Sequence, residues 1–393
     1  MLASKIENIS LSGTMEIAAK TIELKSKGID VIDLCVGEPD LPTPAHIKQA
    51  GIDAINSDKT KYTLNTGIAE LRNAISKKYL EEYGANYLPD EIIVSNGAKQ
   101  SIYNALQAVL NDGDEVLIPL PYYVSYPHMV KLAGGIPVFV ETKKENYFKP
   151  TSSELLANIS PKTKAIILCN PNNPSGSVFT KDELLTVMET SVENNLIIIC
   201  DEIYEKLMYD SIPFVSVASL GEKFKEHMII INGVSKTYAM TGWRIGYALA
   251  PKNIVNGMSK LQSHSTSGAC SISQYASYAA LDGKQECVEE QRKIFEKRRN
   301  YIINFFSEIE LIDFIKPFGA FYFFVDISKI IAKYSSINNS SDFVLRLLEE
   351  ANVAVVAGDV FGIGGYIRIS YAKSMEEIKE AMLRIKKFIQ KLD

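Results

Sequence analysis

The sequence predicts an α/β fold: a mostly parallel central sheet in a large domain, with a smaller α+β domain beside it. Two observations lead there. Short runs rich in Ile and Val alternate with longer stretches of helical period through the middle of the chain, and near Glu286 that alternation gives way to a different pattern. The length of 393 residues also exceeds what one compact core usually fills.

In chain order, residues 91–95, 115–119, 137–141, 165–169, 196–200, 228–232 and 246–250 read as strands. Their near-continuous apolar character is that of strands covered on both faces, as in a parallel sheet. Residues 99–110, 124–132 and 181–194 are amphipathic and long enough to cross over between such strands. These elements define a large domain over residues 41–285. Beyond it come a charged helix over 289–306, an apolar strand over 320–325, a helix over 341–351, two short strands and a final helix of mixed charge. Together with residues 1–40 they form the small domain. The charge run near 379–391 reads as a solvated helix face.

The net charge of −5 offers no general attraction to nucleic acid or anionic membranes, which favours a small-molecule role. Five cysteines are odd in number and scattered, with no CxxC pair and no zinc-ligand spacing to the four histidines, so reduced thiols are expected. The N-terminal MLASKIENIS lacks the apolar core of a signal peptide, and no apolar run is long enough to span a bilayer. The expected location is the cytoplasm.

Chemistry-bearing residues cluster just after the predicted strands, where open α/β sheets bind ligands. In Asn232-Gly-Val-Ser-Lys-Thr-Tyr-Ala-Met-Thr-Gly-Trp-Arg-Ile-Gly246, Lys236 follows an apolar strand in a loop of small and hydroxyl residues. A desolvated lysine beside another cation becomes a nucleophile, whereas a lone lysine is ordinarily a surface group. Arg244 and Ser235 can bind a phosphate, or Arg244 can make a structural salt bridge. In Ser95-Asn-Gly-Ala-Lys-Gln100 a strand ends in a small turn and a helix begins, so the amides at Gly97, Ala98 and Lys99 suit an anion or simply make a tight turn. Asp201 immediately follows an apolar strand, where its carboxylate needs a partner: a protonated pyridine nitrogen, or the amides of a helix it caps. Tyr204 offers a phenol nearby, and Asn170-Pro-Asn-Asn-Pro-Ser-Gly176 has more turn formers than a connection needs. Arg368 lies within the period-2 strand Tyr366-Ile-Arg-Ile-Ser-Tyr371, where it needs a carboxylate from substrate or from the protein itself.

As an ordered set these segments resemble the class I pyridoxal-phosphate aminotransferases of fold type I, and in particular the bacterial aspartate/prephenate subgroup. The resemblance spans nearly the whole chain through Val36-Gly-Glu-Pro-Asp40, Lys59-Thr-Lys-Tyr62, Gly97-Ala-Lys-Gln100, Pro121-Tyr-Tyr-Val-Ser-Tyr-Pro127, Asn170 to Gly176, Asp201 to Tyr204, Ser235-Lys236 with Arg244, and Arg368-Ile-Ser-Tyr371. It implies amino transfer from L-aspartate or a related acidic or aromatic amino acid to 2-oxoglutarate, with prephenate among the alternatives, along with a lyase or a specialised biosynthetic enzyme on the same scaffold. By that resemblance Lys236 is the Schiff-base lysine and proton carrier, and Asp201 pairs with the pyridinium. Tyr204 and Asn173 meet the ring oxygen, and Ser235, Arg244, Gly97, Ala98 and Lys99 hold the phosphate. Arg368 and Gly37 take the substrate α-carboxylate, while Lys99, Ser12 and Thr14 contact a distal one. Tyr62 matches a tyrosine that reaches the phosphate of a neighbouring subunit, implying a homodimer with shared sites.

Three positions depart from the subgroup's pattern. Tyr123 stands where a tryptophan usually stacks on the cofactor ring, and still offers an aromatic face. Ser10 replaces a basic residue before the Ser-x-Thr, and His264 replaces a glutamine. All three concern the substrate side rather than the lysine. Gly362-Ile-Gly-Gly365 lacks the setting of a dinucleotide fingerprint and reads as a turn.

Overall fold

A computed structural model describes residues 3–7, 9 and 13–392. A helix over Gly13–Ser26 leads into β1 (Ile32–Asp33). Seven strands then build the larger sheet: β2 (Ile92–Ser95), β3 (Glu115–Pro119), β4 (Ile136–Val140), β5 (Thr163–Cys169), β6 (Ile197–Asp201), β7 (Met228–Gly233) and β8 (Gly246–Leu249), in the order β2-β8-β7-β6-β5-β3-β4. All neighbours are parallel except β8, which runs against both β2 and β7. The seven expected strands are all present, with ends shifted by up to two residues. One shift bears on the site: Asp201 is the last residue of β6 rather than the first after it.

Period-2 alternation explains why both faces are buried. Ile166, Leu168, Ile198 and Ile230 point into one core cluster, while Ala165, Ile167, Ile199 and Ile231 point into another. The first face is covered by helices over Ala69–Tyr83, Lys181–Glu193 and Ser271–Asp282, and the second by helices over Ala98–Val109 and Lys252–Ser263.

The rest of the chain forms a second body. β9 (Asp313–Phe314) and β10 (Tyr322–Asp326) are followed by β11 (Val353–Ala354), which pairs in parallel with β1 and so ties the N-terminal segment to this body. With β12 (Val356–Ala357) and β13 (Tyr366–Ser370), strands β9 and β10 make a four-stranded antiparallel sheet ordered β12-β13-β10-β9. Its core takes in Phe321, Phe323, Val325, Ile367 and Ile369, together with Tyr204, Leu207 and Tyr209 from the segment after β6. That segment therefore leaves the larger sheet and packs into the smaller one. Among the described residues no helix is long and apolar enough to cross a membrane.

Residues 36–40 are tied down by hydrogen bonds at Gly37 and Glu38 and by an ion pair at Asp40. Arg298, 7% exposed at its side chain, makes parallel bonds of 2.6 and 2.7 Å to the two carboxylate oxygens of Asp40. Removing the acid leaves the guanidinium buried without its counter-charge. Asp40→Ala is expected to lower the unfolding free energy by about 2 kcal/mol in denaturant titrations. An unchanged midpoint would show that the pair contributes nothing.

Candidate active site

β5, β6 and β7 run parallel as neighbours, so their carboxyl ends line up and deliver three loops to one place. There they meet β10 and β13 of the smaller sheet around a cavity of about 580 Å³. Lys236, Asp201, Tyr204, Asn173, Ser235, Arg244, Ala98, Lys99, Tyr123, Gly37 and Arg368 all line it.

Lys236 Nζ donates to the Gly37 carbonyl at 2.6 Å, and the ring of Phe321 lies 5.8 Å from it. Burial pushes its pKa down to about 8; the cations of Arg244 and Arg368 act in the same direction, against Glu38 and Asp201. The result is an amine that is substantially neutral just above neutral pH, as a nucleophile requires.

Asp201 is buried and accepts from Tyr126 Oη at 2.8 Å and from the Ile203 amide at 3.3 Å. No α-helix starts there for it to cap. Burial raises its pKa to about 6, and its hydrogen bonds only partly offset that. A cation brought into the cavity beside it would restore the carboxylate, so the site is built for a positively charged partner such as a protonated ring nitrogen.

The turn at Gly97 and Arg244 has the make-up of an anion site. Gly97, at φ 90°, opens the helix over Ala98–Val109, whose first amides have no intrahelical acceptor. A Cβ on Gly97 would lie 2.4 Å from Arg244 Nη2, so only glycine lets the guanidinium approach this turn. Arg244 itself holds a left-handed backbone, φ 56° and ψ 51°, and donates to the carbonyls of Thr241 and Asn96 at 2.7 and 3.3 Å. Such a conformation costs a non-glycine residue on the order of 1 kcal/mol, and here it aims the side chain at the helix start. No carboxylate pairs with Arg244 among the described residues, which removes the structural salt-bridge reading.

Arg368, on β13, is 5% exposed. Its Nη1 and Nη2 donate to Asn173 Oδ1 at 3.1 Å and to the Cys35 carbonyl at 2.5 Å, while Nε has no partner. Among the described residues no carboxylate compensates this charge, so it is poised for one from outside. The bond to Asn173 also fixes that amide, leaving its NH₂ free to donate.

Other expected positions divide. Tyr123 packs edge-on to Tyr126, with ring centroids 5.4 Å apart, and Lys99 Nζ lies 5.5 Å from the Tyr123 ring. Tyr62 is 99% exposed and does not line the cavity of its own chain. His264 ends the helix over Lys252–Ser263, also away from the cavity. Ser10 and Ser12 lie outside the described residues; Thr14 falls within the first long helix, its side chain outside the description, though Ala18 of that helix lines the cavity. Two participants were not singled out from sequence. Tyr126, within the Pro121 to Pro127 motif, holds Asp201, and Tyr322, within an aromatic strand that looks like plain core, bonds Tyr204.

Comparison with known proteins follows this geometry. The family model described as "Aminotransferase class I and II" matches residues 29–385. An "Aspartate aminotransferase" of Bacillus sp. (strain YM-2) is 46% identical, covering 99% of each chain. A "Probable aspartate/prephenate aminotransferase" of Rickettsia bellii is 45% identical, covering 98% of each. The crystal structure of the aspartate aminotransferase from Rhizobium meliloti superposes with a TM-score of 0.97 at 41% identity, covering 100% of both chains.

The depressed amine can be titrated directly. With a pKa of about 8 in place of 10.5, the neutral fraction of Lys236 at pH 7 is ~10%, against ~0.03% for an ordinary lysine. Acylation of the cofactor-free protein, followed site by site by mass spectrometry, should rise with pH and reach half its plateau rate near pH 8 at Lys236. A midpoint above pH 10 would remove the basis for a tuned nucleophile.

Proposed function

The chain belongs to the class I and II aminotransferases, a pyridoxal-phosphate family, and we propose that it moves the amino group of L-aspartate to 2-oxoglutarate by a ping-pong cycle. The observation that carries this reading is a cavity lined by a partly buried amine, a buried acid and a buried arginine that has no carboxylate partner among the described residues. Bound there, pyridoxal 5′-phosphate supplies an aldehyde for the amino group and a ring that takes up the electron pair left at the substrate α-carbon.

The protein's own groups have separable tasks. With the cofactor bound, Lys236 Nζ would anchor it and would carry the proton between the substrate α-carbon and the cofactor. Asp201 keeps the proton on the ring nitrogen, held in place by Tyr126. Tyr204 and the Asn173 amide donate toward the ring oxygen, and Tyr123 offers its face to the ring. Ser235, Arg244 and the amides of Gly97, Ala98 and Lys99 receive the phosphate. Arg368, with the backbone at Gly37, clamps the α-carboxylate, while Lys99, Ser12 and Thr14 meet the distal one.

The large domain is assigned to residues 41–285 and the small domain to 1–40 with 286–393; most of each core cluster follows this division, with Ile203, Tyr204, Leu207 and Tyr209 packing across it into the smaller sheet. Five free cysteines suit a reducing cytoplasm. The exposed Tyr62 is assigned to the site of a second copy, in a homodimer.

Mixed with aspartate alone, the loaded enzyme should release one equivalent of oxaloacetate per site and stop until 2-oxoglutarate is added. Continuous turnover, or ammonia as product, would point to a lyase instead. Lys99→Ala should raise KM for aspartate ~10-fold or more while leaving monocarboxylate donors unchanged. Equal losses across a donor panel would place the distal contact elsewhere.

Shared sites make a separate prediction. Lys236→Ala and Tyr62→Ala homodimers should each be impaired, the former by ~10⁴-fold or more. Unfolded together and refolded as a mixture, they form hybrids with one intact site, and activity should recover well above that of either parent. No recovery would place Tyr62 outside any active site.

A further inference from the structure

Tyr322 lies on β10 with its side chain fully buried, and three elements of the site converge on it. Its Oη is 2.9 Å from Tyr204 Oη. Its ring lies beneath the Arg368 guanidinium, whose Cζ is 4.5 Å from the ring centroid. Its hydroxyl also fills the space that a side chain at Gly37 would need: a Cβ there would fall 2.0 Å from Tyr322 Oη. The Gly37 carbonyl in turn accepts from Lys236. The sheet register explains the second contact. Tyr322 pairs with Ser370 and Phe324 with Arg368 across antiparallel strands, so Tyr322 and Arg368 are diagonal neighbours on one face.

We infer that Tyr322 is a positioning residue that donates its proton to Tyr204, so that Tyr204 directs its own proton at the cofactor ring oxygen, while the Tyr322 ring seats Arg368 for the substrate carboxylate. This rests on the function proposed above. The direction follows from counting protons. Each phenol has one proton to give, and among the described residues each hydroxyl has the other as its hydrogen-bond partner. A cofactor oxygen bearing negative charge accepts, so Tyr204 must donate outward. The proton between the two phenols is then that of Tyr322. Accepting a hydrogen bond makes Tyr204 a stronger donor, because successive bonds polarise one another. Burial pushes the Tyr322 hydroxyl up to about 12, so it keeps this proton across the neutral range.

The consequence is a split between two functions of one side chain. Tyr322→Phe keeps the ring under Arg368 and removes only the hydroxyl. Tyr322→Leu removes both. The readout is the pH midpoint of the bound cofactor's visible absorbance, measured on the loaded enzyme alongside steady-state kinetics. For Tyr322→Phe the midpoint is expected to rise by about 0.5 units or more, because the ring oxygen loses stabilisation and protons nearby are held more tightly. KM for aspartate should stay within about twofold of the wild type, since the cation–π contact survives. For Tyr322→Leu, KM should rise ~10-fold in addition. The decisive comparison is with Tyr204→Phe: if the hydroxyls act as a chain, adding Tyr322→Phe to Tyr204→Phe moves the midpoint no further.

A Tyr322→Phe enzyme with the wild-type midpoint, or two substitutions whose midpoint shifts simply add, would overturn the proton direction. A wild-type KM in folded Tyr322→Leu would overturn the seating of Arg368, and if that variant does not fold, Tyr322→Met tests the same loss. Failure of the underlying function has a different signature: the wild-type protein would then turn over aspartate continuously without 2-oxoglutarate or release ammonia, whatever the midpoints of the variants.

Discussion

Every feature of the site depends on holding the Lys236 amine where an ammonium ion is disfavoured. Burial is the first cause, and the guanidinium groups of Arg244 and Arg368 reinforce it. A fall from 10.5 to about 8 corresponds to roughly 3 kcal/mol against the charged form. No single element creates that environment. The loop after β7 carries the lysine, the crossing segment at Gly37 provides its acceptor, and Phe321 brings an apolar ring from the threshold of the smaller sheet. The reactivity of the amine is therefore a property of the seam between the two sheets. This gives the Arg298–Asp40 pair, which fixes the segment just beyond Gly37, a functional as well as a structural consequence.

The end of β6 shows how a structural buried acid differs from a functional one. Glu202 follows Asp201 directly and is fully buried, but it is satisfied from within: Ser216 donates to one oxygen at 2.7 Å and the Val217 amide to the other at 2.8 Å. Burial raises it to about 8, so it holds a proton near neutrality and carries no charge that a ligand must balance. Glu205 faces Lys78 and Tyr83 and is likewise complete. Asp201 differs because its remaining capacity opens into the cavity. Arg368 differs in the same way on the opposite wall. Accounting for partners, more than burial itself, separates the two classes.

This accounting also explains what the sequence disclosed. The strands were legible because both faces of the larger sheet are covered, which leaves Ile- and Val-rich runs with sharp ends, and the reactive residues follow those ends in order. That rule drew attention to Lys236, Asp201 and the segment holding Asn173, while Arg244 stood out by its spacing from Lys236, and their roles came from the resemblance. Tyr126 and Tyr322 did not stand out. One lies in the first turn of a short helix and the other in the run Phe-Tyr-Phe-Phe, where a phenol looks like any core aromatic, and only tertiary packing shows where its oxygen goes. Element boundaries moved for a similar reason: whether β6 ends at Cys200 or at Asp201 is decided by pairing with β5, which extends to Cys169 opposite Asp201. Tyr62 is the opposite case, a residue whose motif was plain although it stands almost fully exposed in its own chain.

Of the departures from the subgroup pattern, Tyr123 and His264 fall at partly buried or exposed positions, and Ser10 lies outside the described residues. Tyr123 is only partly buried and meets Tyr126 edge-on, so exchanging one aromatic for another there alters packing without disturbing the bond from Tyr126 to Asp201. Lys99 is exposed, with its ammonium beside the Tyr123 ring rather than locked in an ion pair, and the helix that contributes Ala18 approaches the same side. By contrast, Asp201, Asn173, Ser235 and Arg368 are all buried. Substituting a buried, interlocked group perturbs several neighbours at once, whereas an exposed cation can change with little effect on the fold. Under the proposed function, such an arrangement would let the choice of amino donor vary without disturbing the groups around Lys236. The choice of donor would then rest on the loosely held rim of the cavity, and the cofactor chemistry on the buried groups around Lys236.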